Sequence, residues 1–531
     1  MRTTTVDEPQ REAIEQHYGP LGPHSVELTD GIGVTMDDGV ELLGTLALPV
    51  AAGKVPAVLM RTPYDPASFP PEVAAFHMGE VIAWASHGYA CFLQSTRTTT
   101  SYFYEAADGL ATVRWMERQP WFDGNLGLNG SSYHAFTAWA TASSRPAGLK
   151  AISTAMYSTD RVSSWYPGGG FGLELALSWT AVQQAGGAAV GEELYDHLPL
   201  DQADTAATGT TLDFYQERLA HDGADPHWKP LNFAWLLDDP PAPILHIDGW
   251  YDYHRTYFWQ DFERLNHNSS DTPHRFVIGP WTHAAPDPRI CMAEKLAWFD
   301  THVRGDGTGH FAALSYYRTG ADAGWHEIEK WHEPETTVFH AGPDEQLLAA
   351  SPDPAERVEW TYDPAHPTPS VGFVTLGTGD AGGLWDSGAL ERRADVRVFT
   401  SAVLREPLDL AGHASATTTF FSDAPSADLF LRVLDVHENG QVHSVADGIL
   451  RVTGPGLGEG VPVKVDLGPV GHRLVAGHRL RLLVAGGAHP YYNRNLGTGE
   501  PTATATRTRV ARQAVAVGGV DGLRLSLPVA R

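Results

Sequence analysis

A series of short apolar runs separated by helix-like spacing constrains the first 330 residues more than any other feature. The runs are Pro56–Met60, Tyr89–Gln94, Leu126–Leu128, Leu149–Ser153, Pro243–Gly249 and Arg275–Gly279. Runs that are continuously apolar, rather than alternating, read as strands covered on both faces. Helical patterns fall between or after them, near Val73–His87, Ala107–Glu117, Ala135–Ala142 and Glu294–Val303. Strand and helix in alternation predict a mostly parallel sheet with helices on both sides. Before these runs come a polar lead-in with one short helix and alternating strands at Val26–Leu28, Ile32–Met36 and Val40–Pro49.

Two segments depart from this rhythm. Residues 155–239 carry helical periodicity broken by Gly and Trp, at Leu173–Gln184 and Leu212–Leu219, and read as a helical insertion. After Glu333 helices vanish, and short strands such as Val396–Thr400, Ser415–Phe421, Leu429–Val436 and Leu480–Val484 alternate with Gly, Pro and Asp turns. That pattern predicts a β-sandwich. With 531 residues the chain is too long for one core. The expected division is an α/β core at 1–154 and 240–332, a helical cap at 155–239 and a sandwich at 333–531.

The stretch Gly130-Ser131-Ser132-Tyr133-His134 joins an apolar strand to the helix Ala135–Ala142. A serine on a sharp strand-to-helix turn projects its oxygen from the backbone, facing the next amide and the helix N-terminus. Gly130 lets the strand end pack close to the turn. The second glycine of a strict G-x-S-x-G pattern is replaced by His134. Taken alone, the stretch also fits a serine helix cap.

In open parallel sheets the chemistry sits beyond the carboxyl ends of the strands. Ser132 follows one strand, Gly249-Trp250-Tyr251-Asp252 another, and Gly279-Pro280-Trp281-Thr282-His283 a third. The order Ser, Asp, His is that of an α/β-hydrolase. Histidine can take the serine proton and return it to the leaving group, and a buried carboxylate fixes the histidine tautomer.

Composition narrows the alternatives. A formal net charge of -27 argues against binding nucleic acid through phosphates and against an anionic membrane surface. Cys91 and Cys291 form neither a metal spacing nor a disulfide framework and read as small buried residues. The N-terminus is polar and no run reaches the ~18 apolar residues of a spanning helix, so a cytoplasmic protein is expected. No metal or cofactor is expected; a homo-oligomer is compatible with the sequence.

Together, Gly130-Ser131-Ser132-Tyr133, Gly249-Trp250-Tyr251-Asp252 and Gly279-Pro280-Trp281-Thr282-His283 resemble the bacterial cocaine esterase and X-prolyl dipeptidyl aminopeptidase family, which includes α-amino-acid ester hydrolases. Arg61-Thr62-Pro63-Tyr64, Gln119–Gly124, Trp298-Phe299-Asp300, Ser422–Pro425, Asp447–Arg451 and Gly477–Arg481 match as well, so the resemblance runs from about Val26 to the C-terminal region. It implies an α/β-hydrolase core, a helical cap and a C-terminal jelly-roll β-sandwich beside the active site. It also implies Ser132, Asp252 and His283 as the triad, with the Tyr64 hydroxyl and the Tyr133 amide as the oxyanion hole. Two departures stand out: Ser95–Ser101 lacks the acidic residue and glycines usual in relatives, and Ala135 stands where a glycine is common.

Trp165, Tyr166, Phe171 and Trp179 are candidates to line an acyl pocket under the cap or simply to fill its core. His254 is close enough to Asp252 in sequence to reach that pocket, and Glu174 is a candidate for meeting a substrate amine. His246, Asp248, Asp252 and His254 could be read as a metal cluster, but their neighbours are apolar strand residues. The expected activity is a serine hydrolase cleaving an ester or amide of a small organic acyl substrate through an acyl-serine. An acyltransferase or cyclase using the same acyl-serine, and a catalytically silent binding protein, are the alternatives.

Overall fold

The computed structural model describes residues 1–50, 53–64, 71–97, 102–185, 190–268, 271–372, 374, 383–384 and 386–530, with backbone alone over 71–76. The apolar runs assemble into one sheet. From edge to edge its strands are Arg2–Thr5, Val26–Thr35, Glu41–Pro49, Ala90–Ser95, Val55–Thr62, Phe122–Ser131, Leu149–Ala155, Ile244–Tyr251, His274–Thr282, Leu314–Gly320 and Gly324–Ile328. Pairings from Ala90–Ser95 through Leu314–Gly320 are parallel. Those outside are antiparallel.

Successive side chains of a strand point to opposite faces. Leu59 packs in one hydrophobic core, while its neighbours Val58 and Met60 pack in another. Both faces of this strand therefore need apolar residues, which is why its sequence does not alternate. Two edge regions were not evident in the hydrophobic pattern. Arg2–Thr5 is wholly exposed, and Leu314–Gly320 mixes polar and aromatic residues. Their pairing comes from the edges they join rather than from an apolar run of their own.

Between Leu149–Ala155 and Ile244–Tyr251 lies the helical segment, with helices Arg161–Trp165, Leu173–Gln184, Ala203–Thr208 and Asp213–Ala220. It has a core of its own around Phe171, Leu177, Leu200 and Tyr215. The C-terminal region is a sandwich. One layer pairs Glu356–Tyr362, Ala511–Val517, Leu408–Ser422 and Val461–Leu474. The other pairs Val396–Ser401, Arg479–Ala485, Ser426–Val436 and Val442–Thr453. Trp360, Phe420, Phe399, Leu431 and Leu482 from the two layers share one core.

The sandwich is fastened to the rest at several points. Arg255 Nη2 lies 2.8 Å from Asp447 Oδ1, both buried. The Phe171 amide donates to Asn493 Oδ1 at 2.9 Å, and the Asn493 amide returns to the Phe171 carbonyl at 2.8 Å. Among the described residues no helix is long and apolar enough to cross a membrane.

Candidate active site

One residue, Ser132, separates the strand Phe122–Ser131 from the helix Tyr133–Ser143. Its φ of 57° lies where side-chain-bearing residues rarely sit. The surroundings hold it there. Its amide donates to the Ala155 carbonyl at 2.9 Å, and its carbonyl accepts from the amides of Ala135 at 2.9 Å and Phe136 at 3.2 Å. A Cβ at Gly130 would lie 2.2 Å from the His134 backbone, so the turn closes only over a glycine. His134 is buried, and its Nε2 pairs with Thr62 Oγ1 at 2.8 Å. Burial pushes its pKa well below the usual range and keeps the ring neutral.

Asp252 and His283 follow adjacent parallel strands in which Gly249 is opposite Gly279. Trp281 makes both glycines necessary. A Cβ on Gly249 would meet its carbonyl oxygen at 2.2 Å, and one on Gly279 would meet its indole at 2.3 Å. His283 Nδ1 lies 2.6 Å from Asp252 Oδ2, and His283 Nε2 lies 2.9 Å from Ser132 Oγ. A carboxylate only accepts, so Nδ1 carries the hydrogen, and Nε2 accepts from the serine hydroxyl. The second Asp252 oxygen accepts from the His254 amide at 2.6 Å. Burial first and the Asp252 charge second raise the Asp248 carboxyl well above the usual range. Tyr253 covers the His283 ring at 4.7 Å.

Tyr64 stands beside the serine. Burial raises its phenol pKa, while hydrogen-bonding contacts to Ser132 and the Trp179 indole pull it down. An indole N–H can only donate, so Trp179 meets the Tyr64 oxygen as a donor. Tyr133 is the first residue of its helix, and its N–H has no acceptor within the helix.

The remaining candidates separate into two groups. Trp179 adjoins Tyr64 and stacks near Tyr133 at 6.5 Å. Trp165 is buried between Phe214 at 5.4 Å and Trp228 at 5.2 Å. Phe171 and Tyr166 face elsewhere. Phe171 packs on Tyr215 at 6.3 Å, and Phe171 and Tyr166 border a cleft shared with Arg451 and Pro501 of the sandwich. His254 is buried, its Nδ1 3.3 Å from Ser158 Oγ and its ring 5.2 Å from Tyr157. Glu174 lies at the sandwich junction, where its amide donates to the Pro490 carbonyl at 3.2 Å. Of the altered loop Ser95–Ser101, Thr98–Ser101 lie outside the described residues; Arg97 clamps Asp108 with two bonds of 2.7 Å.

Other polar groups near the serine gave weaker sequence signals. Arg61, a charge at the end of an apolar strand, pairs with buried Glu105. Glu105 also accepts from the Tyr133 hydroxyl at 3.2 Å. Arg61 precedes Tyr64 by three residues, and that charged residue in an apolar run was the available signal. Away from these groups, Asp435, His437 and His478 of the sandwich each bring a possible ligand atom within 4.8 Å of the others.

Residues 38–285 match the family model for X-Pro dipeptidyl-peptidase (S15 family), and residues 309–522 match the X-Pro dipeptidyl-peptidase C-terminal non-catalytic domain. A cocaine esterase of Rhodococcus sp. (strain MB1 Bresler) is 28% identical over 88% of this chain and 92% of its own. Among solved structures, an aminopeptidase of a marine sediment Thaumarchaeota archaeon superposes with a TM-score of 0.82 at 20% identity, covering 95% of this chain and 97% of that one. An α-amino acid ester hydrolase reaches 0.80 at 20% identity with the same coverage.

Proposed function

The chain belongs to the cocaine esterase and X-Pro dipeptidyl-peptidase-like family of α/β-hydrolases and is a serine hydrolase of ester or amide bonds; from that premise we propose that Ser132, His283 and Asp252 carry the reaction. The observation that supports this most directly is the hydrogen-bond chain from Asp252 through His283 to Ser132, at 2.6 Å and 2.9 Å.

His283 Nε2 takes the Ser132 proton as Oγ attacks the substrate carbonyl. Asp252 holds the imidazole in the tautomer that can accept, and stabilises the imidazolium that forms. The Tyr64 hydroxyl and the Tyr133 N–H stabilise the oxyanion, each donor contributing about 10²–10³ in rate. His283 then protonates the leaving alcohol or amine, and water repeats the sequence on the acyl-serine. Trp179 and Trp165 border the space for the acyl group. The free, buried Cys91 and Cys291 support a reducing, cytoplasmic setting.

Intact-protein mass spectrometry tests the assignment. Incubation with 4-nitrophenyl esters of graded acyl size, or with a fluorophosphonate, should add one acyl or phosphonyl group to Ser132. The Ser132→Ala variant should acquire neither. Normal labelling of that variant would remove Ser132 from the reaction.

A further inference from the structure

Arg161 opens the helix Arg161–Trp165 and is 7% exposed. Its guanidinium carbon lies 4.5 Å above the Tyr102 ring, 5.1 Å from Trp165, 5.7 Å from Tyr133 and 5.9 Å from Trp179. Nη2 donates to the Tyr102 hydroxyl at 2.8 Å. Nε and Nη1 are buried without a hydrogen-bond partner. The Tyr157 hydroxyl is in contact with the guanidinium, without a hydrogen bond of good geometry.

The other arginines make the contrast. Arg61, Arg255, Arg275 and Arg432 are similarly buried, and each holds a carboxylate within 2.8 Å. Arg161 holds none among the described residues. Nor does Arg218, 2% exposed, which shares the Trp165 face at 5.4 Å and spends Nη2 on the Ala176 carbonyl and Thr180 hydroxyl. In a chain with 64 acidic and 37 basic residues, two buried guanidinium groups therefore sit together without a counter-charge among the described residues. Cation–π contact with the rings offsets part of the desolvation, but it leaves Nε and Nη1 of Arg161 without an acceptor.

The neighbours of Arg161 are also the neighbours of the reacting groups. Tyr133 follows Ser132, Trp179 touches Tyr64, and Tyr253 covers His283. Arg161 is close enough to Tyr64 and Tyr253 to favour their charged forms. An anion on Nε or Nη1 would therefore lie among the side chains proposed to hold the scissile carbonyl. Nε–H or an Nη1 hydrogen, together with the second hydrogen of Nη2, forms an edge that matches a carboxylate in a two-bonded pair.

We propose that Arg161 binds a free carboxylate of the substrate, so that this hydrolase acts on esters or amides bearing a carboxylate in addition to the scissile bond. The proposal rests on Ser132 being the nucleophile. The carboxylate could belong to the acyl part or to the leaving part, and both are recognised by the same chemistry.

Matched substrate pairs test it on the wild-type enzyme. For the acyl side, 4-nitrophenyl hydrogen adipate is compared with its neutral methyl ester; for the leaving side, 4-acetoxybenzoate is compared with methyl 4-acetoxybenzoate. At least one pair should show kcat/KM higher for the acid by about 10²-fold. Arg161→Gln should collapse that ratio to near one, and Arg161→Lys should restore part of it. Fluorophosphonate labelling of Ser132 runs alongside as a check on the nucleophile and on folding. A labelled, active wild-type enzyme with no acid preference in either pair would overturn the proposal while leaving the nucleophile intact. Failure to label Ser132 in the wild type would overturn both. If Arg161→Gln does not fold, the wild-type ratios alone decide.

Discussion

Arg61 and Glu105 form an ion pair sealed from water, with Nη1 2.7 Å from Oε2 and both side chains at 1% exposure or less. Arg61 anchors the strand that ends near Tyr64, and the other Glu105 oxygen receives the Tyr133 hydroxyl. One carboxylate therefore braces both sides of the proposed oxyanion hole. Removing it leaves a buried guanidinium short of a partner, a loss typically of about 3–5 kcal/mol. Glu105→Ala should lower the urea midpoint accordingly and reduce kcat in the fraction that folds. An unchanged midpoint would mean that Asp108, 3.9 Å from Arg61, carries the pair alone.

Tyr64→Phe should lower kcat by about 10²-fold or more with little change in KM, because the lost donor acts mainly in the transition state. Trp179→Phe should lower kcat by a smaller factor, about 10-fold, since it removes an N–H that meets the Tyr64 oxygen but leaves the phenol. The double variant should be little worse than Tyr64→Phe, because both changes act through one hydroxyl. Additive losses in steady-state kinetics would separate the two residues.

The enzyme should lose stability as pH falls below neutrality. Burial holds His246 at about 3 and His77 at about 4, so both stay neutral in the folded chain while an unfolded histidine titrates near 6.5. Between those limits the unfolded state binds more protons, and stability falls with acidification. Each histidine contributes up to about 1.4 kcal/mol per pH unit within its window. His246→Gln, whose amide can still donate to the Tyr157 carbonyl, should flatten the slope by about one proton. Urea unfolding at pH 7 and pH 5 measures this; an unchanged slope would exclude His246 as a source.

Gly249→Ala should cost about 1–3 kcal/mol and at least 10-fold in kcat, because the new methyl must displace the Trp281 carbonyl two residues before His283. A thermal melt alongside ester turnover separates the two effects. Full turnover would show that the strand ends can part without moving the histidine.

The reach of the sequence follows the range of the interactions involved. Ser132 was readable because its turn is local: a glycine two residues before it and a helix directly after it. Asp252 and His283 were readable because a parallel sheet gathers its strand ends on one edge. Phe171 and Trp179 both looked like pocket residues, yet one joins the helical segment to the sandwich and the other meets Tyr64. Their directions depend on how the inserted helices settle on the sheet, which periodicity within one helix does not encode. Arg161 was silent for the same reason: its meaning lies in what fails to surround it.

The Arg255–Asp447 link has a consequence for biosynthesis. Ser132, Asp252 and His283 are all present by residue 283, but the residue three positions after Asp252 is tied to a strand nearly 200 residues further along. A ribosome that has delivered the first 283 residues has released the proposed triad without the Arg255–Asp447 link. Full reactivity is therefore expected to appear only as the sandwich emerges and docks.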